Sequence, residues 1–407
     1  MFINLHVHSA IGSLLDSILT VEQAVKYAAD NGQSHIALTD HGTMHGFVEQ
    51  VKLCKKYGVK PIVGCEIYEV DNYLEKNDSK EYTQPRYHLV FLASKQLGLQ
   101  NLFKIVSEAA TTGMYKKPRI SINWIKERNL GEGIICLTAC QVGRLSRYLE
   151  NGMYNEAEEF VHLLQDTFDY VACEIQSHKT EQQLKCNTLI YKFARHMNMP
   201  YVITTDAHML SANQIDTHSI FVSIGEGRET GETYVGCHLQ NEQDVFQYLG
   251  DWMLERVVQQ GIDETAHIAN MIDDDIDYGL DHGNIMPTIN VPEEFSSHED
   301  YLHYLVFEKF DNKFGWMNEE DQKIRRERLE KELPVINALD YTDYFIMLHM
   351  IAEAADARQL PRGYSRGSGA NCLCLFMLGV TQIDSIRWDL DFSRFANLGR
   401  KGSLADF

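Results

Sequence analysis

Residues 2–9 read FINLHVHS, an apolar stretch that carries two histidines one residue apart. Alternate residues of a β-strand point to the same side, so the pattern predicts a strand whose branched residues face one way. His6 and His8 would then project side by side from the other face, near the end of the strand. Two neighbouring imidazoles suit a zinc, iron or manganese ion. A single HxH pair is weak evidence, so the other ligands have to come from elsewhere in the chain.

The same kind of apolar run recurs along the first half of the chain, and helical stretches lie between the runs. The runs are FINLHV (2–7), HIALTD (35–40), KPIVGCEIY (60–68), YHLVFLA (87–93), GIICLTA (133–139), YVACEIQ (170–176) and PYVITTD (200–206). Seven β-then-α units predict an α/β fold, a parallel barrel that is closed or nearly closed. A doubly wound open sheet is the alternative, although no GxGxxG motif of dinucleotide-binding proteins follows the first run.

Side chains able to bind metal ions fall at equivalent places in these units, mostly at strand ends, where such barrels carry their chemistry. The side chains at these places are His6, His8, Asp16, Asp40, His41, Glu66, His88, Cys140, Glu174, His178, Asp206 and His208. Alone, His88 or Cys140 would more often be an ordinary core residue. Their recurrence at equivalent places predicts one polynuclear metal centre. We expect Glu174 and His178 to lie outside the ligand set, and Asp40 to orient a ligand histidine.

Length, cysteine content and charge limit the class of protein. At 407 residues the chain exceeds one ordinary domain, so two domains, or a barrel with an appendage, are expected. There is no secretory signal, no apolar run near the ~18 residues of a membrane helix, and no CxxC pair among nine cysteines. These features predict a cytoplasmic protein with reduced thiols and no membrane partner. The formal charge of −21 argues against broad nucleic-acid binding, but ions in an acidic cluster would allow a local phosphate site.

The successive motifs HVHS, LLDS, LTDHGTMHG, VGCE, YHLVFLA, LTAC and ITTDAH resemble those of the PHP domain family (polymerase and histidinol phosphatase). The resemblance covers residues 1–275 and implies a metal-dependent phosphoesterase domain with a distorted seven-stranded (β/α)7 barrel. It also implies three divalent metal ions, zinc, manganese or iron. The nine candidate ligands that the resemblance implies are His6, His8, Asp16, His41, Glu66, His88, Cys140, Asp206 and His208.

Residues 276–407 resemble a linker and an incomplete α+β palm segment of the bacterial family C replicative polymerases, the DNA polymerase III α subunits. The stretches IMPTINVPEE and YSRGSGANCLCLFMLGVTQIDSIRW carry this resemblance. Arg366, Gly367 and Ser368 match a glycine-rich loop near the nucleotide triphosphate, where Arg and Ser would bind phosphate oxygens. The loop reads GYSRGSG where the family usually has GPGRGSA. The family's catalytic aspartates begin just beyond Phe407, so we expect no polymerisation by this chain alone.

The resemblance also suggests roles for the ligands. Glu66 would bridge two ions and would act in catalysis with Asp206 and His208. The expected groups are His6, His8 and Asp206 on one ion, Asp16, His41 and His208 on another, and His88 with Cys140 completing a third. The implied activity is 3′–5′ exonucleolytic proofreading at a DNA 3′ end, with the remainder of the polymerase or other replisome subunits as partners. A histidinol-phosphate-type phosphatase and a non-catalytic, metal-stabilised scaffold are the alternatives.

Overall fold

The computed structural model describes residues 1–76, 84–227, 234–280, 285 and 287–400. The chain forms two compact units, Met1–Leu280 and the part from Asp281 onward. Each unit has its own buried apolar core. The end of the chain at Phe407, on which the expectation about polymerisation depends, lies outside the described residues.

The first unit is built on one curled sheet of eight strands. The strands are β1 (His35–Leu38), β2 (Lys60–Glu69), β3 (Tyr87–Ala93), β4 (Met114–Tyr115), β5 (Lys117–Ile120), β6 (Ile134–Leu137), β7 (Tyr170–Gln176) and β8 (Tyr201–Thr204). They pair in the order β4-β5-β2-β3-β6-β7-β8, and β1 pairs with the first half of β2. Every residue of β1, β6 and β8 is buried, as in sheets covered on both faces. The predicted α/β class is confirmed.

The N-terminal run 2–7 is not a strand, so that prediction is wrong, although the run lies between β1 and β8. Thr39 N donates to Val7 O at 2.8 Å on the β1 side, and His8 N donates to Ala207 O at 2.8 Å on the other. The Val7 amide donates instead to the Thr39 side chain at 2.9 Å, which interrupts the ladder and leaves an isolated bridge between Val7 and Ala207. The run therefore fills the gap between the two edge strands without a continuous ladder.

Strand β3 runs antiparallel to both of its neighbours, so the predicted all-parallel order is wrong here. The described residues between β2 and β3, 70–76 and 84–86, contain no helix that could return the chain for a parallel pairing. As a result β3 begins at the edge where β2 ends, and His88 lies opposite Tyr68. The antiparallel pair β4–β5, which the sequence did not predict, lies next to β2.

Helices cover the sheet of the first unit. Within the described residues they are α1 (Val21–Asp30), α2 (Phe47–Tyr57), α3 (Gln96–Ala110), α4 (Ile122–Glu127), α5 (Arg144–Glu150), α6 (Tyr154–Gln165), α7 (Glu181–His196), α8 (Ile215–Glu226), α9 (Glu242–Leu249) and α10 (Glu255–Asn270). Thr20 and Gln23 form a capping box at the start of α1. Helix α10 packs tightly on β8, since a Cβ atom at Gly261 would lie 2.7 Å from Ile203. This packing holds the end of β8, and thus the loop that follows it.

The second unit is helical in its described residues. Its helices are α11 (His298–Glu308), α12 (Phe310–Phe314), α13 (Glu319–Ala338), α14 (Thr342–Ala357) and α15 (Leu373–Met377). Buried Leu329, Leu333 and Ile336 recur at helical spacing in α13. No strand occurs among the described residues of this unit, so the expected α+β character is not found there. None of the described helices in the chain has the length and apolar character needed to span a membrane.

Candidate metal centre

The structure brings all nine candidate ligands into one cluster in the first unit. They lie in the N-terminal run, in the loops after it and after β1, β6 and β8, and on β2 and β3. Three sets of ligand atoms lie within 4.8 Å of one another: His6–His8–Asp206, His8–His41–His208 and His41–Glu66–His88. Because neighbouring sets share a histidine, the cluster is continuous.

The set nearest the N-terminus consists of His6, His8 and Asp206. His6 Nε2 lies 3.0 Å from His8 Nε2. Asp206 Oδ1 lies 3.3 Å from His6 Nε2 and 3.0 Å from His8 Nε2. Three potential ligand atoms therefore face one another in a fully buried space. This is the grouping expected from the sequence for one ion.

The second expected grouping, Asp16 with His41 and His208, is also brought together. Asp16 Oδ2 lies 2.8 Å from His41 Nε2 and 3.6 Å from His208 Nε2. His208 reaches this group from the same loop as Asp206, whose Oδ1 is 3.6 Å from His208 Nδ1. A single short loop therefore contributes to both groups.

Glu66 lies between the groups. Its Oε2 pairs with His41 Nδ1, while its Oε1 lies 3.0 Å from His88 Nδ1 and 3.3 Å from His6 Nε2. Cys140 Sγ is 3.6 Å from His88 Nδ1. The two oxygens of one buried carboxylate thus face different histidines, which is the arrangement that a bridging ligand requires.

Two histidines are oriented by hydrogen bonds on the side of the ring that faces away from the cluster. His6 Nδ1 donates to Glu174 Oε1 at 2.7 Å, and His208 Nδ1 donates to the Asp206 carbonyl oxygen at 2.7 Å. Both acceptors lack a proton to give, so Nδ1 carries the hydrogen in each ring. In the neutral form of each ring, which is the form that binds a metal ion, the lone pair is then on Nε2, the atom that faces the cluster.

His8 is oriented in the same way through a serine. Ser13 Oγ donates to Asp40 Oδ1 at 2.8 Å, which uses its only proton. It must therefore accept from His8 Nδ1, which lies 3.0 Å away, and His8 Nε2 is left with a lone pair. Asp40 also accepts from the amide and hydroxyl of Ser9 at 2.6 and 2.7 Å. Asp40 thus acts on a ligand histidine through Ser13, a residue with no signal of its own in the sequence.

Unpaired polar atoms test whether metal ions fit this cluster. Five buried ligand atoms make no hydrogen bond: His41 Nδ1, Glu66 Oε1, Glu66 Oε2, Asp206 Oδ1 and His208 Nε2. They face only other potential ligands, as Glu66 Oε2 faces His41 Nδ1, and do so without hydrogen-bond geometry. A buried polar atom whose hydrogen bond is not made costs roughly 1–3 kcal/mol, so five at one place require an explanation. Divalent ions would satisfy all of them, and imidazole, carboxylate and thiolate donors suit zinc, manganese or iron. The residues present therefore fit the expected metals.

The charges of the cluster are strongly coupled. Burial, together with the neighbouring His41 and His208, lowers the pKa of His8 to about 3. Burial opposes charge on His41, but Glu66 and Asp16 raise the pKa of this imidazole to about 10. Burial also opposes charge on Glu66, yet His88 and His41 hold the pKa of its carboxyl well below the usual range. Ionised carboxylates thus need positive charge beside them, which either protons or metal ions can provide.

The backbone is strained at one of the candidate ligands and directly before two others. Leu15, Ala139 and Asp206 have positive φ angles of 62°, 60° and 47°. Residues other than glycine rarely adopt this conformation, which costs about 1–2 kcal/mol for an L-residue. Leu15 and Ala139 directly precede Asp16 and Cys140. The strain therefore falls where the chain turns to present a ligand.

Two further histidines, His178 and His218, support the loops around the cluster. His218 is buried in α8 and its Nε2 donates to the backbone oxygen of Asp16 at 2.6 Å. His178 is buried, and its Nε2 donates to the backbone oxygen of Thr205 at 2.7 Å. The His178 ring lies against Cys237 Sγ at 3.4 Å, so its two contacts are with loop residues outside the cluster. No sequence signal indicated the role of His218, because it depends on how α8 packs.

A cavity of about 390 Å³ opens onto the cluster. The ligands on its wall are Asp16, His41, His88, Cys140, Asp206 and His208. Gln141, Gln182, Tyr234 and Val235 are among its other lining residues. The volume falls within the range of ligand pockets, about 300–1,000 Å³, so part of a substrate could reach the clustered side chains.

The Arg366–Ser368 loop lies in the second unit, at the start of a short 3₁₀ segment, Gly367–Asn371. Gly367 has φ 63°, a conformation that glycine permits without strain. The Arg366 side chain is exposed, and Asn371 Nδ2 donates to Ser368 O at 3.0 Å. The turn therefore leaves the Arg366 guanidinium accessible.

Another group of potential ligands, Glu332 with Cys372 and Cys374, also lies in the second unit. Both oxygens of the Glu332 carboxylate already accept hydrogen bonds. Oε1 accepts from Arg328 Nε at 2.6 Å and from Leu373 N at 3.1 Å, and Oε2 accepts from Cys374 N at 2.9 Å. Unlike the cluster in the first unit, this group has no unpaired oxygen, so its geometry is explained by anchoring of the chain before α15.

Comparisons with known proteins agree with this division of the chain. Residues 4–178 match the PHP domain family, and residues 300–407 match the bacterial DNA polymerase III alpha NTPase domain. DNA polymerase III subunit alpha of Treponema pallidum is 32% identical over 413 residues, which cover 100% of this chain and 34% of the relative. The Borreliella burgdorferi subunit is 31% identical over 421 residues, covering 100% and 35%. The Aquifex aeolicus subunit is 27% identical over 408 residues, covering 97% and 35%.

The chain thus spans about a third of the length of the curated relatives that it matches. The alignment to the first two relatives runs over the whole chain, through both of its units. The chain is therefore homologous to the N-terminal third of bacterial DNA polymerase III subunit alpha, with a PHP domain at its start and the NTPase-domain region of that subunit after it.

Proposed function

We propose that the first unit is a metal-dependent 3′–5′ exonuclease that hydrolyses phosphodiester bonds at the 3′ end of DNA. The observation that carries the proposal is the complete, continuous ligand cluster, with unpaired atoms, at the wall of an open cavity. The relatives are DNA polymerase subunits, which favours DNA over a small phosphate ester as the substrate.

Three divalent ions bound in the cluster would activate a water near neutral pH and neutralise charge on the phosphoryl oxygens. Glu66 would hold neighbouring ions together, because its two oxygens face different histidines. Asp206 and His208 lie in one loop but would bind different ions, since Asp206 faces His8 and His208 faces Asp16. For this reason we assign Glu66, Asp206 and His208 to the catalytic machinery.

The cavity supports a nucleic-acid end as the bound group. No lysine or arginine occurs among its described lining residues, so attraction of a phosphate would depend on the ions. Gln141 and Gln182 offer amides, which can pair with base edges, and Tyr234 offers an aromatic face for stacking. A negatively charged strand would thus be held at the metal centre and a nucleoside beside it.

We further propose that the chain works in DNA replication in the cytoplasm, with the remainder of the polymerase or other replisome subunits as partners. The support for this is the match of the whole chain to polymerase α subunits. Proofreading is the role that a 3′–5′ exonuclease has beside a polymerase.

The test is hydrolysis of a 3′-labelled single-stranded oligonucleotide by the whole chain with zinc, manganese or chelator. We expect metal-dependent release of 3′ nucleotides, and a loss of more than about 100-fold in Asp206→Ala, which lacks one ligand. Asp251→Ala is the control, because the Asp251 side chain is 82% exposed. Its activity should equal that of the unchanged protein.

The same preparation separates the alternatives. Hydrolysis of a phosphomonoester without release of 3′ nucleotides would support a small-molecule phosphatase. Bound metal without either activity would support a scaffold that uses the ions for stability. Either outcome would reject the exonuclease proposal.

We also propose that Arg366, Gly367 and Ser368 bind the phosphates of a nucleotide. The support is the exposed guanidinium beside a glycine that permits close backbone approach. Calorimetric titration with a magnesium–nucleoside triphosphate should show about tenfold weaker binding in Arg366→Ala. Arg387→Ala, at another exposed arginine of this unit, should bind as the unchanged protein does.

A further inference from the structure

Gln176 is the last residue of β7, is buried, and lies on the wall of the cavity that opens onto the cluster. Its side-chain amide nitrogen is 3.2 Å from Asp206 Oδ2 and 3.4 Å from Glu174 Oε1. Both neighbouring atoms are carboxylate oxygens, which accept hydrogen bonds when ionised. The amide therefore donates to them, and its contact with Asp206 is the shorter one.

The backbone of Gln176 is held in place by a second amide. Asn187 on α7 accepts from Gln176 N at 3.1 Å and donates to Gln176 O at 2.8 Å. Asn187 in turn accepts from Gln183 Nε2 at 2.9 Å, and Gln183 accepts from Gln141 Nε2 at 2.8 Å. This relay joins the residue after Cys140 to the end of β7. Since the backbone does not depend on the Gln176 side chain, that side chain can be changed while the strand end stays anchored.

The two oxygens of Asp206 are in different situations. Oδ1 makes no hydrogen bond and faces His6 Nε2 and His8 Nε2 at 3.3 and 3.0 Å. Oδ2 accepts from the amide of Gln176 at 3.2 Å. Only one oxygen of this carboxylate is thus turned toward the two imidazoles.

We propose that Gln176 is a positioning residue that keeps Asp206 a one-oxygen ligand. A carboxylate that binds through both oxygens fills two coordination positions, whereas one that binds through a single oxygen fills one. Catalytic metal sites keep a position open for water or substrate. With one oxygen of Asp206 instead of two, an ion held by His6, His8 and Asp206 would have one more position for water or substrate, apart from any that Glu66 fills. The inference rests on the metal centre of the proposed function but does not require that the centre cleave DNA.

The test compares zinc-loaded crystal structures of the unchanged chain and Gln176→Met, which keeps the side-chain volume and removes the amide. In the unchanged chain we expect one Asp206 oxygen at about 2.0–2.2 Å from zinc and the other on Gln176. In the variant we expect both oxygens on the ion. Zinc affinity, measured by competition with a chelating dye, should fall by about 10–100-fold, as for other residues that orient a ligand.

Gln182→Met is the matched control, because Gln182 lines the same cavity but is exposed and lies outside the relay. Its zinc affinity and Asp206 geometry should be unchanged. Two-oxygen binding already present in the unchanged chain would overturn the proposal, and so would one-oxygen binding or undiminished affinity in Gln176→Met. Neither the zinc-bound structures nor the zinc affinity depends on hydrolysis. A chain that binds zinc without cleaving DNA would therefore contradict the proposed function and would not contradict this inference.

Discussion

His6, His8 and His208 all present Nε2 to the cluster, because Nδ1 of each ring is held by a hydrogen bond on the other side. The partners are Glu174, the Ser13 hydroxyl and the carbonyl oxygen of Asp206. A ring whose Nδ1 proton is held in this way has its lone pair on Nε2 and cannot easily turn. In each neutral ring these hydrogen bonds thus select the tautomer that binds a metal ion, which lowers the cost of assembling the metal centre.

A buried histidine remote from the cluster predicts how the fold responds to acid. Burial and the nearby Lys60 lower the pKa of His35 below its usual 6.5. The unfolded chain then binds more protons at this site than the folded chain, so the free energy of unfolding falls as the pH drops through about 6.5. We expect urea unfolding of metal-free His35→Gln to lose less stability than the unchanged chain between about pH 7.5 and 5.5. Equal losses in the two proteins would contradict this, and His162→Gln, at an exposed histidine, is the control.

The sequence could predict the candidate cluster because its residues recur beside apolar runs. It could not predict Ser13, Gln176 or His218, whose roles depend on contacts across the fold. Ser13 and His218 act through hydrogen bonds that any hydroxyl or imidazole could make. Nothing in their sequence context distinguishes them from surface residues, so only packing reveals them.

At the scale of the elements, a buried ion pair joins β2 to the helix after the Cys140 loop. Arg144, at the start of α5, donates to both oxygens of Glu69 at 2.8 and 2.9 Å, and both side chains are under 10% exposed. Its Nη2 also lies 2.7 Å from Asp71. Glu66 is on the same strand as Glu69, so the pair sets the position of Cys140 relative to Glu66.

Breaking this pair should be costly. Arg144→Met leaves the buried Glu69 carboxylate without its partner, and we expect the free energy of unfolding to fall by about 3–5 kcal/mol in urea titrations. Arg147→Met removes a 44% exposed arginine of the same helix and should cost less than about 1 kcal/mol. Adding Glu69→Gln to Arg144→Met should restore much of the loss. If Arg144→Met and Arg147→Met lowered the free energy of unfolding by similar amounts, the Arg144–Glu69 pair would not be what joins β2 to α5.

The apolar runs predicted most strands because a buried parallel strand is a continuous apolar segment. They did not show the direction of β3, which follows from a connection without a described helix. They also led to a false strand at residues 2–7, since burial on both sides makes an irregular segment as apolar as a strand. An apolar pattern thus predicts which segments are buried. Which strands pair, and in which direction, depends on the three-dimensional structure.

At the scale of the whole molecule, the metal centre and the helical unit have separate cores. Ions that bind only the folded state stabilise it, by roughly 4 kcal/mol at a thousand times the dissociation constant. We therefore expect chelation to speed amide hydrogen exchange in peptides from β2, β7 and β8. Peptides from α13 and α14 should exchange at an unchanged rate. Equal acceleration in both sets would contradict separate stabilisation, and Asp206→Ala, which lacks a ligand, should respond less to the chelator.

The most direct test of the metal centre is anomalous diffraction from crystals of the whole chain grown with zinc, manganese or iron. The account predicts three anomalous peaks in the cluster, with ligand atoms about 2.0–2.3 Å from each when the metal is zinc. One peak should lie at His6, His8 and Asp206, and another beside Glu66. A cluster whose side chains keep their mutual contacts and show no peak with any of the three metals would contradict it.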